Sequence, residues 1–144
     1  MNVQIIHDLE TRLSQDLPGQ AAQNLMSPVG AEKYRIVPQD HKVACVLALL
    51  FPKGNEWQLC LIERSSEYAD DKHSGQISFP GGKMNDSDYS YEDCALRETY
   101  EEIGVAPEDI GILGELTPLY IYASNFFVHP FVGFTTDYPR FIKQ

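Results

Sequence analysis

The stretch VACVLALLF, residues 43–51, is apolar at every position and is closed by the turn residues Pro52-Lys53-Gly54-Asn55. It limits the fold more than any other segment. A membrane-crossing helix needs about 20 apolar residues, so this run is far too short to span a bilayer. It is short, rich in Val and Leu, and bounded by a turn, which predicts a buried strand rather than a helix. Residues 57–62 follow the turn and are predicted to pair back as the second strand of a hairpin.

The rest of the chain can be placed around that hairpin. Residues 3–14 put Ile5, Leu9 and Leu13 on one helical face. Residues 16–41 hold Pro18, Gly19, Pro28, Gly30 and Pro38 and read as an extended, irregular lead-in. A boundary is therefore expected near residue 41, with a helix and lead-in over 1–41 and a folded domain over 42–144. Residues 67–74 are polar and read as a loop. Residues 76–79 read as a short strand broken by Pro80-Gly81-Gly82, and residues 83–89 as a second loop. Ser90 and Asp93 fit a capping box, which predicts a helix over 91–103 with Gly104 as the residue that ends it. Residues 110–121 are strand-like with an interruption near Gly114. Residues 126–135 form another strand, with Pro130 placing it at an edge or a bulge. Strands, helix, strands is an α+β order: one mixed sheet system packed on helices.

Charge narrows the function. The chain carries a net −10 at neutral pH, which repels the phosphates of a long nucleic acid. A small polyanionic substrate stays compatible with it if metal ions screen the phosphates. The N-terminal sequence MNVQIIHDLETRL is amphipathic and mildly acidic, without the basic start and apolar core of a signal peptide. A cytoplasmic location is expected, with no membrane partner. Cys45, Cys60 and Cys94 are odd in number and widely spaced, so buried free thiols are expected and no zinc spacing is present.

The segment RETYEEIG, residues 97–104, poses an electrostatic problem. The C-terminal end of a helix is already partly negative and favours cations. Yet Glu98, Glu101 and Glu102 stand there at i, i+3 and i+4 on one face, with Leu96, Tyr100 and Ile103 expected on the core face. Arg97 reaches Glu101 at i+4 but cannot neutralise three carboxylates. Just upstream, FPGGK, residues 79–83, supplies two glycines that allow close backbone approach. Carboxylates plus a loop carbonyl make an all-oxygen site suited to Mg²⁺ or Mn²⁺.

Gly82, Asp88, Arg97-Glu98-Thr99, Glu101-Glu102 and Gly104-Val105 together resemble the signature of the Nudix hydrolases, which cleave a nucleoside diphosphate linked to another group. The resemblance implies a Nudix-like α/β/α sandwich with a mixed sheet. Asp88 stands where the usual box has Glu, and eight residues rather than seven separate it from Arg97. Both departures resemble the coenzyme A pyrophosphatase branch. So does Gly75-Gln76-Ile77-Ser78-Phe79-Pro80-Gly81-Gly82, with Arg64-Ser65 and His73 upstream of it. Between Arg64 and His73 that branch carries a basic residue, where this chain has Glu67-Tyr68-Ala69-Asp70-Asp71.

The resemblance implies Glu98 and Glu102 as principal metal ligands, Glu101 as a further or bridging ligand, and the Gly81 carbonyl as a loop ligand. It implies Arg97 as the group that orients these carboxylates and Asp88 as a tie between loop and helix. Arg64, His73, Gln76 and Lys83 are candidate substrate contacts. The implied reaction is metal-assisted hydrolysis of a pyrophosphate, with coenzyme A or a derivative as substrate. ADP-ribose, a nucleotide sugar or a dinucleotide is the alternative, and a non-catalytic binding module the third reading. Relatives usually continue with another strand and helix beyond the point corresponding to Gln144, and a second copy forming a homodimer could cover an exposed sheet edge.

Overall fold

The computed structural model describes residues 3–27, 36–64 and 75–142. The apolar run forms β1 (Lys42–Lys53). Cys45, Leu47 and Leu49 on one face of it are completely buried. A six-stranded sheet grows from β1. On one side lies β8 (Phe126–Phe134), paired in parallel over Lys42↔Phe126 to Leu50↔Phe134. β8 in turn carries β6 (Gly111–Glu115) and β7 (Leu119–Ile121), both antiparallel.

The other side of β1 is shared. β2 (Glu56–Leu59) takes positions 50–53 and β5 (Gly81–Lys83) takes positions 44–46. That sharing explains two departures from expectation. The hairpin partner predicted over 57–62 stops pairing with β1 because β5 occupies the rest of the edge. Its continuation, β3 (Ile62–Glu63), pairs instead with β4 (Ile77–Ser78) in a separate two-stranded sheet. The double glycine, expected to break a strand, is itself part of one.

α3 (Tyr91–Ile103) lies where its caps predict. The Asp93 N–H donates to Ser90 Oγ at 3.0 Å, and Gly104 ends the helix in the left-handed conformation at φ 72°. Its buried residues are Cys94, Ala95, Thr99 and Ile103, which pack on the Cys45–Leu47–Leu49 face of β1. Tyr100, expected in the core, is 47% exposed and Thr99 takes the inner position. Thr99 can be buried because its hydroxyl donates to the Ala95 carbonyl at 2.7 Å.

Other readings are corrected in similar ways. α1 (Gln4–Leu13) forms where predicted and packs on β6, with Leu13 against Gly114, but its buried residue is Ile6, while Ile5, read as part of the apolar face, is 42% exposed. The lead-in, read as irregular, contains a second helix, α2 (Gly19–Leu25), held by Gln23 Nε2 donating to the Thr117 carbonyl at 2.7 Å. Gly114 marks a bulge within β6 rather than the gap between β6 and β7. Pro130 lies in an interior strand, not at an edge. Its carbonyl accepts from the Leu116 N–H at 2.7 Å. Its ring nitrogen therefore faces the same side, at the gap between β6 and β7, where no donor is needed. All three cysteines are buried free thiols, as expected. Among the described residues no helix is long and apolar enough to cross a membrane.

Candidate active site

One row of the sheet organises the site. Cys45 is flanked by His129 on β8 and by Gly82 on β5, and cross-strand partners share a face. The N-terminal half of α3 meets this row. Tyr91 stacks on His129 with ring centroids 3.7 Å apart, and Cys94 Sγ stands 3.9 Å from the Gly82 carbonyl oxygen. The Glu98 carboxylate occupies the space a Cβ on Gly82 would fill. Gly82 is thus glycine because a carboxylate from α3 sits where its side chain would be.

Gly81 has a different reason. Its φ is 149°, and an added Cβ would run into the Cys45 carbonyl and the Val46 backbone. Leu47 N–H donates to the Pro80 carbonyl and Met84 N–H to the Val43 carbonyl. Between those ladder bonds, the alternation of an antiparallel pair turns both the N–H and the C=O of Gly81 away from β1. The N–H donates to Glu102 Oε2 at 2.8 Å. The polar backbone groups of Gly81 therefore face the glutamates of α3.

Arg97 ties the carboxylates together. Its Nε and Nη2 grip Asp88 bidentately at 2.6 and 2.9 Å. Nη1 donates to Glu98 Oε1 at 2.8 Å and to Glu101 Oε2 at 3.2 Å, and Nη2 also reaches the Lys83 carbonyl at 3.2 Å. The Asp88 side chain is only 2% exposed. Arg97, with help from the Asn85 N–H, pulls its pKa down to about 2. Glu102 is pushed the other way. Burial raises its pKa, and the charges of Glu98 and Glu101 add to that. The Gly81 N–H and the charge of Arg64 oppose it. Glu98 and Glu101 thus act electrostatically on Glu102, as their spacing on the helix leads one to expect.

These residues fit a hard divalent cation. Glu98, Glu101, Glu102 and the Gly81 carbonyl are all oxygen donors gathered at one helix end. Among the described residues, no three His, Cys, Asp or Glu side chains form a ready-made metal cage. Mg²⁺ does not require one, because it keeps several waters and takes one or two carboxylates together with substrate phosphates.

The remaining candidates divide. Arg64 and Gln76 face each other across the β3–β4 hairpin, with the Arg64 N–H donating to the Gln76 carbonyl at 2.9 Å. Period-two alternation puts both on the face that carries Ile62 and Ser78. Arg64 lines a cleft of about 560 Å³ together with Glu101 and Glu102. Lys83 is not brought in, since alternation places its side chain on the sheet face away from Gly82 and Glu98. His73 lies outside the described residues. Sequence reading missed the cleft, whose apolar wall comes from Leu59, Leu61, Ile62 and Ile142. The only signal was leucine on both sides of Cys60, just where the strand leaves the sheet.

The model of the NUDIX domain family matches residues 41–138. A protein of Pectobacterium atrosepticum described as an uncharacterized Nudix hydrolase, NudL, is 42% identical over 83 residues, covering 58% of this chain and 42% of its own length. Nudix hydrolase 3 of Caenorhabditis elegans is 33% identical over 116 residues, covering 78% of this chain and 47% of its own length. The chain spans less than half the length of these curated relatives. Two solved structures share the fold. The M. smegmatis Nudix hydrolase RenU superposes over 72% of this chain and 65% of its own, with a TM-score of 0.57 at 16% identity. A C. elegans Ap4A hydrolase in a binary complex superposes over 72% of each chain, with a TM-score of 0.56 at 15% identity.

Proposed function

The chain belongs to the Nudix family, and from that premise we propose that it hydrolyses the diphosphate of coenzyme A or a derivative. The products are adenosine 3′,5′-bisphosphate and a 4′-phosphopantetheine compound. The observation that carries the reading is the meeting of the α3 glutamates with the Gly81–Gly82 backbone: Glu102 on the Gly81 amide, and Glu98 in the space beside Gly82. The Gly75–Gly82 sequence GQISFPGG supports coenzyme A as the substrate.

Glu98, Glu102, Glu101 and the Gly81 carbonyl would hold Mg²⁺ or Mn²⁺, which neutralises charge on a diphosphate and acidifies a bound water. The chain's own groups do the rest. Arg97 holds the Glu98 and Glu101 carboxylates in place. Asp88 fixes Arg97 in turn, so Arg97 is a positioning residue. Arg64 stands at the same cleft as Glu102 and offers a cation to a phosphate oxygen. As water oxygen bonds to one phosphorus, its proton passes to a carboxylate. The bridging P–O bond breaks and the second phosphate leaves with the bond's electrons.

A second reading, ADP-ribose, a nucleotide sugar or a dinucleotide, is favoured by the acidic residues Glu67, Asp70 and Asp71 in the segment between Arg64 and His73. Incubation with each substrate and Mn²⁺, with products resolved by chromatography, separates the two. Coenzyme A is expected to be turned over fastest. Unchanged coenzyme A beside rapid loss of ADP-ribose would move the assignment to the second reading. Glu102→Gln is expected to lose at least about 100-fold in kcat/KM while keeping the parent's circular dichroism, since a partner of a metal ligand alone costs about 10–100-fold. Undiminished activity in this variant would show that the metal site is misplaced.

A further inference from the structure

The cleft beside Glu101 and Glu102 has a composition that divides the substrate into two unequal halves. Leu59, Leu61 and Ile142 stand around it at 46%, 52% and 51% exposed, with Ile62, Phe51 and Phe141 below them. These three exposed apolar side chains stand together at one cleft beside the charged site. The charged groups on the wall are Arg64 against Glu63, Glu101 and Glu102, an acidic balance.

Resting on the coenzyme A reading, we propose that this cleft takes the pantetheine arm, and that the adenosine bisphosphate half lies on the other side of the diphosphate. The adenosine half carries a 3′-phosphate and a base ringed with hydrogen-bonding groups. Placing it here would bury the polar edges of the base against aliphatic walls without partners. The pantetheine arm is uncharged. One methylene from its phosphate ester oxygen it has a quaternary carbon bearing two methyl groups, which suit apolar walls such as Leu61 and Ile62. A volume of about 560 Å³ lies within the range of small-molecule sites, roughly 300–1,000 Å³. Aliphatic walls with polar groups at one end fix such an arm by shape and leave its amides to reach outward.

The test uses the two products as inhibitors of coenzyme A hydrolysis, in the parent and in Leu61→Ser. Leu61 is half-exposed and outside any strand, so the substitution spares the core. The variant is expected to raise KM for coenzyme A and weaken inhibition by 4′-phosphopantetheine by about fivefold or more, from lost apolar burial. Inhibition by adenosine 3′,5′-bisphosphate should stay within twofold, and Leu61→Met should restore the parent values. Selective weakening of the bisphosphate, or no change in either inhibitor, would overturn the proposal. If the parent does not hydrolyse coenzyme A at all, the functional reading fails. The cleft is then judged by calorimetry with 4′-phosphopantetheine, where Leu61-dependent binding keeps the assignment and absence of binding ends it.

Discussion

At the scale of residues, adjacent glycines do different jobs and should fail differently. Gly82 leaves room for the Glu98 carboxylate, the movable end of a side chain. Gly81 sits at φ 149° against the carbonyl of Cys45 and the backbone of Val46, which cannot move away. Gly82→Ala is therefore expected to fold with a stability near the parent's and to lose activity, because Glu98 is displaced. Gly81→Ala is expected to lose about 2–4 kcal/mol, from overpacking and a backbone conformation that L side chains resist. Urea unfolding and hydrolysis assays on the two variants check this. Equal destabilisation in both would mean that Glu98 is not the group Gly82 accommodates. The same pair shows what sequence can and cannot convey. FPGG announces a close backbone approach. Which atom approaches each glycine depends on strand register, which is a property of three distant segments.

At the scale of elements, Asp88 and Arg97 tie the 84–90 loop to α3. The aspartate's pKa falls from 3.8 to about 2 on folding. A depressed carboxylate stabilises the fold above its unfolded pKa, and this contribution is lost as pH falls from about 4 to 2. The size is about 2 kcal/mol. Asp88→Asn is expected to be less stable than the parent by about that amount at pH 7, with the gap closing by pH 2. Paired urea titrations across that range test it, and a gap independent of pH would mean the loop is held by something else. α3 was readable from local chemistry alone, because Ser90, Asp93 and Gly104 act within a few residues of the helix ends. α2 was not, because its seven residues lack a clear periodic stripe and depend on Gln23 reaching Thr117. The interior place of β8 was also hidden. Pro130 is tolerated there only because β6 and β7 leave a gap beside it, and that gap is a tertiary fact. Thr99 takes the inner position expected for Tyr100, and it can do so because its hydroxyl is satisfied within the helix by the Ala95 carbonyl.

At the scale of the molecule, a net charge of −10 meets a site that concentrates carboxylates at the negative end of a helix. Self-repulsion of this kind weakens the folded state, and any added salt relieves part of it by screening. A divalent cation held as proposed by Glu98, Glu101, Glu102 and the Gly81 carbonyl would do something salt cannot, because it would stabilise only their folded arrangement. Linkage gives about 2.7 kcal/mol at a hundredfold excess over Kd. For a chain of 144 residues that corresponds to a rise in Tm of about 5–10 °C. Mn²⁺ is therefore expected to raise Tm well beyond NaCl at matched ionic strength, and Glu102→Gln should keep the salt response while losing most of the Mn²⁺ response. Equal shifts with NaCl and Mn²⁺ in the parent would reduce the acidic cluster to a screened surface. A full Mn²⁺ shift in Glu102→Gln would place the ion elsewhere on the protein. The measurement separates the charge of the whole chain from the charge of the site, and it needs no knowledge of the substrate.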